Sequence, residues 1–308
     1  MDLATSVMAL TGASSVQPVA EGHQSRVFIV SLAEGRMAVA KVLDASLVDV
    51  DVVRARVETV MELSDLDSRV CRPIELDRQL INVVEDENGR PGLVVCSEFA
   101  DGVAFDEGTG TDARLMGETL AGLHRSMARL AARDLPAVAA LGAMGALGAM
   151  GAVDWSGESG ENGRRDGRGH VPVQVLHGDF NAGNLRRDND AVRVFDFDDC
   201  GYGPPVFDVA NALYMVLFDA TVGNDIGRYR SFETAFLSGY EAASARGLDR
   251  GLVDEFVDLR VRALDHWLDD LPAAPIGIRT ASQAWRATLR RFVRDYERDR
   301  LQQRGLGL

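Results

Sequence analysis

The sequence predicts an α+β protein in which a small β-rich N-terminal lobe precedes a larger, mainly helical C-terminal lobe. Short β-branched runs separated by turn residues dominate the first hundred residues, whereas apolar residues recur at helical intervals over most of the remainder. A chain of 308 residues with 46% hydrophobic and 26% charged residues can bury a sizeable core and is long enough for about two domains. We place the two lobes at residues 1–98 and 99–308.

The N-terminal lobe begins with a predicted β-hairpin. Residues 26–31 and 37–43 are apolar, β-branched runs joined by Ala-Glu-Gly-Arg, a typical turn composition. Residues 49–63 place their apolar side chains at roughly helical intervals with charges between them, which predicts an amphipathic helix. Residues 80–99 predict two further strands around Glu-Asn-Gly-Arg-Pro-Gly. Together these elements describe a small antiparallel sheet with one helix.

The C-terminal lobe is predicted to be helical around one short β-containing segment. The apolar residues of 111–132 fall on one helical face, and the chain from Asp208 onward has a helical pattern. Between them, residues 171–176 and 192–197 have the composition of two strands that flank a loop. Residues 135–170 contain Gly-Ala-Met repeats and a polar Gly-rich run, which predicts a loop insertion rather than a solenoid or a membrane span.

The charge of the chain argues against several classes of partner. Lys and Arg number 33 against 47 Asp and Glu, which gives a formal net charge of −14. Such a chain repels nucleic acid and anionic membrane surfaces on average and favours cationic partners. The three cysteines lack CxxC spacing, and the first residues lack the basic region of a secretory signal. We expect a cytoplasmic protein with no nucleic-acid or membrane partner; the sequence gives no indication of its oligomeric state.

Only one of the 33 basic residues is a lysine, and it lies in the middle of a predicted strand. Lys41 stands in Ala-Val-Ala-Lys-Val-Leu, where its side chain would project from the sheet. Its ammonium group reaches a phosphate oxygen as a compact point charge where a planar guanidinium would not fit. Position alone favours the simpler alternative, a lysine retained by chance on an exposed strand face.

Two acidic motifs carry the main chemical signal. The run His-Gly-Asp-Phe-Asn-Ala-Gly-Asn has Asp179 on a short loop and Asn184 five residues later. Asp196 and Asp198 follow in Phe-Asp-Phe-Asp-Asp, and strand alternation would place them on one face, about 6.6 Å apart. Carboxylates that close raise each other's pKa or need a cation between them, and amide and carboxylate oxygens suit Mg²⁺. Singly, each aspartate could be a cap and His177 a core histidine; the order of the whole set favours a site.

With these motifs the chain resembles the aminoglycoside phosphotransferase and choline kinase-like family, small-molecule relatives of the protein kinases. The resemblance covers nearly the full length. His177, Asp179 and Asn184 match the family's HGDxxxxN motif, and residues 196–199 match its second acidic motif. It implies a bilobal protein-kinase-like fold. It also implies an enzyme that uses ATP and Mg²⁺ to transfer the γ-phosphoryl group to a hydroxyl of a small molecule.

The resemblance implies a role for each matching residue. Lys41 would contact the α- and β-phosphates of ATP and pair with the helical Glu58, and Asp179 would accept or orient the proton of the acceptor hydroxyl. Asn184 and Asp196 would hold Mg²⁺. Asp198 would be a further metal contact, and His177 and Asp208 would support the loop. Gly22 and Ser25 would cover the phosphates. The backbone of Glu98, Phe99 and Ala100 would contact adenine.

The acceptor is predicted to be a hydroxylated amine, of which an aminoglycoside is one example, because an acidic chain concentrates cations. Four residues near the C-terminus could line its cleft, with ion pairs and a cation–π contact, or could be solvated helix faces: Asp265, Trp267, Asp269 and Asp270. Phe99 could equally be a core residue. A kinase of an amino acid or a neutral sugar is an alternative that fits the same motifs.

Two further alternatives concern the class of protein. A bacterial protein Ser/Thr kinase would need a segment that binds a peptide, and only 12 residues separate Asp196 from Asp208. A nucleotide-binding pseudokinase would lack the lysine, the base or a metal ligand, and none of these is missing from the sequence. The prediction of a small-molecule kinase is therefore the leading one.

Overall fold

The chain folds into two compact units, one built on an antiparallel β-sheet and the other mainly helical, which confirms the predicted α+β class. The computed structural model describes residues 2–19, 25–139, 173–188, 191–244 and 247–303. The segments of the two units alternate along the sequence: the first unit contains Met1–Ala104, Arg129–Leu135 and Leu185–Asp198, and the second contains Phe105–Ala128, Pro136–Asn184 and Asp199–Leu308.

The main sheet of the first unit is antiparallel throughout. Its strands are β1 (Ser15–Pro18), β2 (Ser25–Ser31), β3 (Met37–Asp44), β4 (Pro73–Ile74), β5 (Asn82–Glu85) and β6 (Pro91–Glu98). The order is β1-β2-β3-β6-β4, with β5 also paired to β6. The predicted hairpin is present as β2 and β3, and a 3₁₀ turn at Ala33–Gly35 joins them. Strand β3, which carries Lys41, therefore lies inside the sheet.

Two helices cover the two faces of this sheet. Helix α1 (Leu3–Thr11) buries Leu3 and Val7 against one face, and the sequence analysis did not predict it. Helix α2 (Val50–Leu66) is the predicted amphipathic helix and packs on the residues of the other face. The Asp49 carboxylate caps α2 by accepting the backbone N–H groups of Asp51 and Val52, which otherwise lack intrahelical partners.

A second, three-stranded sheet explains why the first unit extends beyond the expected boundary at Glu98. Strand β7 (Val103–Ala104) pairs with β9 (Leu185–Asp188), which pairs with β10 (Ala191–Val194). In addition, the Cys71 backbone N–H donates to the Val194 carbonyl, and the Val194 N–H donates to the Arg69 carbonyl. Residues 185–198 therefore belong to the first unit, although the simple division after Glu98 places them in the second lobe.

The second unit is a helical bundle with a short two-stranded ribbon. Its elements are α3 (Gly110–Met127), β8 (Gln174–Leu176), β11 (Gly201–Gly203), α4 (Val206–Val222), α5 (Ile226–Ala243), α6 (Arg250–Asp269), α7 (Ile276–Arg279) and α8 (Gln283–Gln303). The ribbon pairs β8 with β11. Helices α3 and α5 approach closely at Gly117. A Cβ atom at this position would lie 2.0 Å from the Phe236 carbonyl oxygen, so the close approach requires glycine. The helices predicted from 111 and 208 are thus α3 and α4.

Parts of the sequence predictions fall outside the described residues. These are Gly22 and, beyond residue 139, the Gly-rich insertion expected at about 135–170. Within the ranges that the structure describes, none of the helices is long and apolar enough to cross a membrane.

Candidate active site

Lys41 bridges two carboxylates in the first unit. On β3 the side chains of Ala38, Ala40 and Val42 pack on the α1 side, so the alternating Lys41 projects from the opposite face. Its Nζ atom donates to Asp196 Oδ1 at 2.8 Å and to Asp198 Oδ2 at 2.6 Å. The lysine side chain is 18% exposed. Lys41 is therefore not a free lysine on an exposed strand face, since its charge is held between two acids.

The two acids reach Lys41 by a different route from the predicted one. Strand β10 ends at Val194, and Asp196 has a φ of +65°, which interrupts the extended backbone before Asp198. The expected strand over 192–197 is therefore wrong at its end, and alternation along a strand does not bring the carboxylates together. Lys41 supplies the positive charge that two neighbouring carboxylates require. Burial alone would lower the pKa of Lys41, but the charges of Asp198 and Asp196 raise it above its ordinary value.

Glu58 has a different ion-pair partner from the expected one. Its Oε2 atom accepts from Arg133 at 3.1 Å, and the same guanidinium donates to Glu62 at 2.9 Å. The expected ion pair between Glu58 and Lys41 is therefore absent from the described structure: Arg133 binds the glutamate, while Asp196 and Asp198 bind the lysine.

The predicted hinge lies at the end of β6. The Glu98 backbone N–H donates to the Arg72 carbonyl at 2.9 Å, and its carboxylate pairs with Arg193 at 2.5 Å. Phe99 and Ala100 follow the strand and are half-buried. Ser25 begins β2 and is paired with Leu43 of β3.

In the second unit, residues 177–184 form a tight loop after β8. Gly178 has a φ of +84°, and a Cβ atom there would lie 2.1 Å from the Asp199 carbonyl oxygen. Only glycine fits this position without a shift of the backbone. His177 is fully buried, and its Nδ1 accepts from the Asp179 backbone N–H at 3.3 Å. The glycine of the His-Gly-Asp motif thus permits the turn that presents Asp179.

A fully buried carboxylate on α4 holds this loop. Asp208 Oδ2 accepts from the His177 backbone N–H at 2.9 Å, and Oδ1 accepts from the Gly178 backbone N–H at 3.0 Å. His124 Nε2 lies 3.2 Å from Oδ2, and Tyr240 Oη lies 3.0 Å from His124 Nδ1. Because a carboxylate accepts hydrogen bonds, Nε2 carries the hydrogen, and in the neutral imidazole Nδ1 then accepts from the Tyr240 hydroxyl. Burial and the charge of Asp208 raise the pKa of Tyr240 to about 12, which keeps that hydroxyl protonated.

Two amide side chains hold the carboxylate of Asp179. Asn184 stands at the end of a 3₁₀ turn, and its Nδ2 donates to the Asp179 carbonyl at 2.9 Å and to Oδ2 at 3.2 Å. Asn211 on α4 donates through Nδ2 to Asp179 Oδ1 at 3.4 Å. The sequence analysis proposed Asn184 but missed Asn211, and it also missed His124 and Tyr240. The signal for Asn211 is its spacing, three residues after Asp208 on one helix.

The proposed acceptor residues lie in different environments. Trp267 is 7% exposed and packs in the core of the second unit, so its ring is covered by protein rather than available to a ligand. Asp269 pairs with Arg290 at 2.8 Å, Asp265 is half-buried, and Asp270 is exposed at the end of α6. The expected cation–π contact with Trp267 is therefore wrong. Trp267 lies on the mainly apolar, buried face of α6, which packs in the core of the second unit.

The fold and these two groups of residues define a class: a kinase-like enzyme with a β-sheet lysine, an acidic loop motif and a mainly helical second unit. The chain belongs to the phosphotransferase enzyme family, whose model matches residues 15–252. Kinases of this family use ATP and transfer phosphate to hydroxyl acceptors, and this chain is a small-molecule phosphotransferase of that type. The predicted enzyme class is thereby confirmed.

Solved structures are similar to the chain over most of its length. The amicoumacin kinase hAmiN, solved with AMP-PNP, Ca²⁺ and Ami, is 19% identical with a TM-score of 0.66, over 91% of this chain and 87% of that chain. A microcompartment-associated aminopropanol kinase is 18% identical with a TM-score of 0.65, over 94% and 93%. The aminoglycoside phosphotransferase APH(3'')-Id from Streptomyces rimosus is 20% identical with a TM-score of 0.52, over 83% and 95%. No curated protein sequence matches the chain.

Proposed function

We propose that the enzyme transfers the γ-phosphoryl group of ATP to a hydroxyl of a small hydroxylated amine, an aminoglycoside or an amino alcohol. The observation that carries the proposal is the environment of Asp179. Its carboxylate accepts hydrogen bonds from the neutral amides of Asn184 and Asn211, and among the described residues it has no ion-pair partner. An ionised carboxylate held in this way can accept a proton from a hydroxyl or bind a cationic group.

In the proposed reaction Asp179 acts as the base. The acceptor oxygen forms a bond to the γ-phosphorus while the bond from that phosphorus to the β–γ bridging oxygen breaks, so ADP leaves. The hydroxyl proton passes to the carboxylate of Asp179, which releases it to solvent after product departure. Because the transition state is loose, the main task of the residue is to orient the hydroxyl.

Lys41 and the hinge residues are the proposed nucleotide ligands. Lys41 keeps a fixed positive charge, since its pKa is raised, and its compact ammonium suits the α- and β-phosphates. The hinge is proposed to contact adenine through the backbone of Glu98, Phe99 and Ala100. Ser25 is proposed to contact the phosphates. Glu58 is proposed to act near the nucleotide through its helix, in a pair with Arg133 rather than with Lys41.

The chemistry of the side chains fits Mg²⁺. Asn184 donates through Nδ2, which leaves its Oδ1 as an oxygen ligand, and Asp196 and Asp198 offer carboxylate oxygens. Within the described residues, no group of three or more His, Cys, Asp or Glu side chains is arranged to hold a metal ion. We assign Asn184 and Asp196 as metal ligands and Asp198 as a further contact. When bound, Mg²⁺ offsets negative charge on the phosphates.

Two observations support an amine as the acceptor. The net charge of −14 concentrates cations around the molecule, and the similar structures include kinases named for aminopropanol and for aminoglycosides. An aminoglycoside acceptor would make the activity one of antibiotic resistance, whereas an amino alcohol would make it metabolic.

A panel of acceptors at low and high ionic strength tests the proposal. ADP formation from Mg-ATP is measured with ethanolamine, aminopropanol, an aminoglycoside, serine and a neutral sugar. We expect the highest kcat/KM with an amine, and a decrease in that value as salt screens its attraction to the protein. A neutral sugar that gives the highest kcat/KM without a response to salt would contradict the amine assignment and leave the kinase assignment intact.

A further inference from the structure

Asn211 is a fully buried polar residue on α4 whose side chain contacts the loop of residues 177–184. Its Nδ2 donates to Asp179 Oδ1 at 3.4 Å and to the Phe180 carbonyl at 3.4 Å. Because an amide nitrogen has two hydrogens, one is directed to each acceptor. We propose that Asn211 is a positioning residue that holds the Asp179 carboxylate in the orientation needed for proton transfer. This inference rests on the proposed role of Asp179 as the base.

The partners of Asn211 fix which way its amide points. Both atoms that it faces, the Asp179 carboxylate oxygen and the Phe180 carbonyl oxygen, only accept hydrogen bonds, so the nitrogen must face them. The opposite atom, Oδ1, is then buried with no hydrogen-bond partner among the described residues. An orphaned buried oxygen is destabilising, and an apolar side chain of similar size would avoid it. A residue that serves packing alone has no reason to be an asparagine here.

Asn211 and Asp208 hold the loop together from one helix face. They are three residues apart on α4, so their side chains project in similar directions. Asp208 accepts the backbone N–H groups of His177 and Gly178, whereas Asn211 donates to the two residues that follow them. The acid therefore fixes the backbone of the turn, and the amide fixes the side chain that the turn presents.

The consequence for Asp179 is that both of its oxygens are held. Asn184 donates to Oδ2 and Asn211 donates to Oδ1, so the carboxylate cannot rotate freely about its side-chain bonds. Loss of the Asn211 donor leaves the proposed nucleotide ligands of the first unit unchanged. The Asp179 carboxylate, however, can then rotate away from the orientation that proton transfer needs. Catalysis depends steeply on such orientation, so kcat should fall while the affinity for nucleotide is retained.

A double-mutant cycle tests this role. Asn211→Leu, Asp179→Asn and the double variant are compared by ADP formation from Mg-ATP, with the best acceptor of the panel and with water as acceptor. We expect Asn211→Leu to lower kcat on the order of 10- to 100-fold, with KM for ATP within about twofold of wild type. In the Asp179→Asn background the same change should lower kcat by no more than about twofold, because a residue that acts through Asp179 has nothing left to position.

A matched control separates positioning from the general loss of a buried amide. Asn82 is also buried, and its Nδ2 donates to the Leu76 and Gln79 carbonyls at 3.4 and 3.3 Å, in the turn that precedes β5 in the first unit. Asn82→Leu should keep kcat within about twofold of wild type. If Asn211→Leu fails to fold by circular dichroism, Asn211→Ala removes the same donor at lower steric cost and takes its place.

The outcomes distinguish the inference from the function on which it rests. Wild-type turnover in Asp179→Asn would remove the base and, with it, the role of Asn211. Impaired turnover in Asp179→Asn together with wild-type kcat in Asn211→Leu would overturn the positioning role alone. An equal loss of kcat in both backgrounds would also overturn it, because Asn211 would then act through the fold rather than through Asp179.

Discussion

Replacing Asp208 with asparagine removes one acceptor oxygen from a fully buried site. The carboxylate has three hydrogen-bond donors around it: Oδ2 accepts from the backbone N–H of His177 and from His124 Nε2, and Oδ1 accepts from the backbone N–H of Gly178. An asparagine side chain has a single oxygen. Whichever way the amide is turned, at least one donor therefore faces an NH₂ group that cannot accept it.

The least costly orientation sets the size of the effect. If the amide oxygen takes the place of Oδ2, the bonds from His177 and His124 survive with a neutral acceptor, and the Gly178 N–H is left unpaired. A hydrogen bond to a charged group contributes about 1.5–3 kcal/mol, and the unpaired donor adds its own desolvation cost. We expect Asp208→Asn to lower the free energy of unfolding by about 2–4 kcal/mol. A typical domain has about 5–15 kcal/mol, so the variant still folds.

Urea unfolding followed by tryptophan fluorescence measures the decrease in the free energy of unfolding in the unit that contains Asp208. Two of the three tryptophans of the sequence, Trp267 and Trp285, lie in the described part of the second unit together with Asp208. Asp86→Asn is the control, monitored by circular dichroism: both backbone N–H groups that bind Asp86 donate to the same oxygen, Oδ1, so an amide can retain them, and the ion pair that is lost is a long one, at 3.9 Å, with the half-exposed Arg26. We expect a much smaller loss there. A decrease below about 0.5 kcal/mol for Asp208→Asn would refute the hydrogen-bond reasoning.

Two further predictions concern charged side chains. Lys41 is the only lysine of the sequence, and we expect Lys41→Arg to lower kcat/KM at least tenfold, on the order expected for a misfit phosphate contact. A wild-type kcat/KM in Lys41→Arg would count against the phosphate contact. Burial raises the pKa of Glu233. The hydrogen bond from the Tyr229 hydroxyl lowers that pKa in part, and the negative charge of Asp254 raises it further. The folded state then holds the proton more tightly than the unfolded state, so the free energy of unfolding falls as pH rises from the ordinary glutamate pKa towards the folded value. Glu233→Gln should flatten that decline in urea titrations across this range and stabilise the protein at neutral pH; a wild-type pH dependence would contradict the assignment.

Local patterns in the sequence were sufficient for much of the first unit. The hairpin of β2 and β3 follows from two β-branched runs around a turn, and α2 begins where Asp49 can cap it. Helix α1 was missed because its 9 residues carry no charged face that would mark an amphipathic pattern. Its stability comes from packing on the sheet, which local pattern cannot show.

The ion pairs of the site lay beyond the reach of sequence spacing. Lys41 and its partner Asp196 are 155 residues apart in sequence, and Glu58 finds Arg133 75 residues away. Charge type predicts that each group has a partner but not which one, because several acids and arginines of the first unit compete for each position. The left-handed backbone of Asp196 was equally hidden, since aspartate tolerates that conformation without requiring it.

Helix α4 shows which sequence signal could identify a positioning residue such as Asn211. Thirteen of its 17 residues are buried, so it is enclosed on nearly all sides rather than amphipathic. A polar side chain on such a helix cannot reach solvent and must find a partner within the protein. Asp208 and Asn211 are both fully buried, and both contact the loop that presents Asp179. The pair of polar residues in Val-Phe-Asp-Val-Ala-Asn-Ala-Leu therefore carries the information: in an otherwise apolar helix, polar residues three positions apart identify the face directed at a neighbouring polar site.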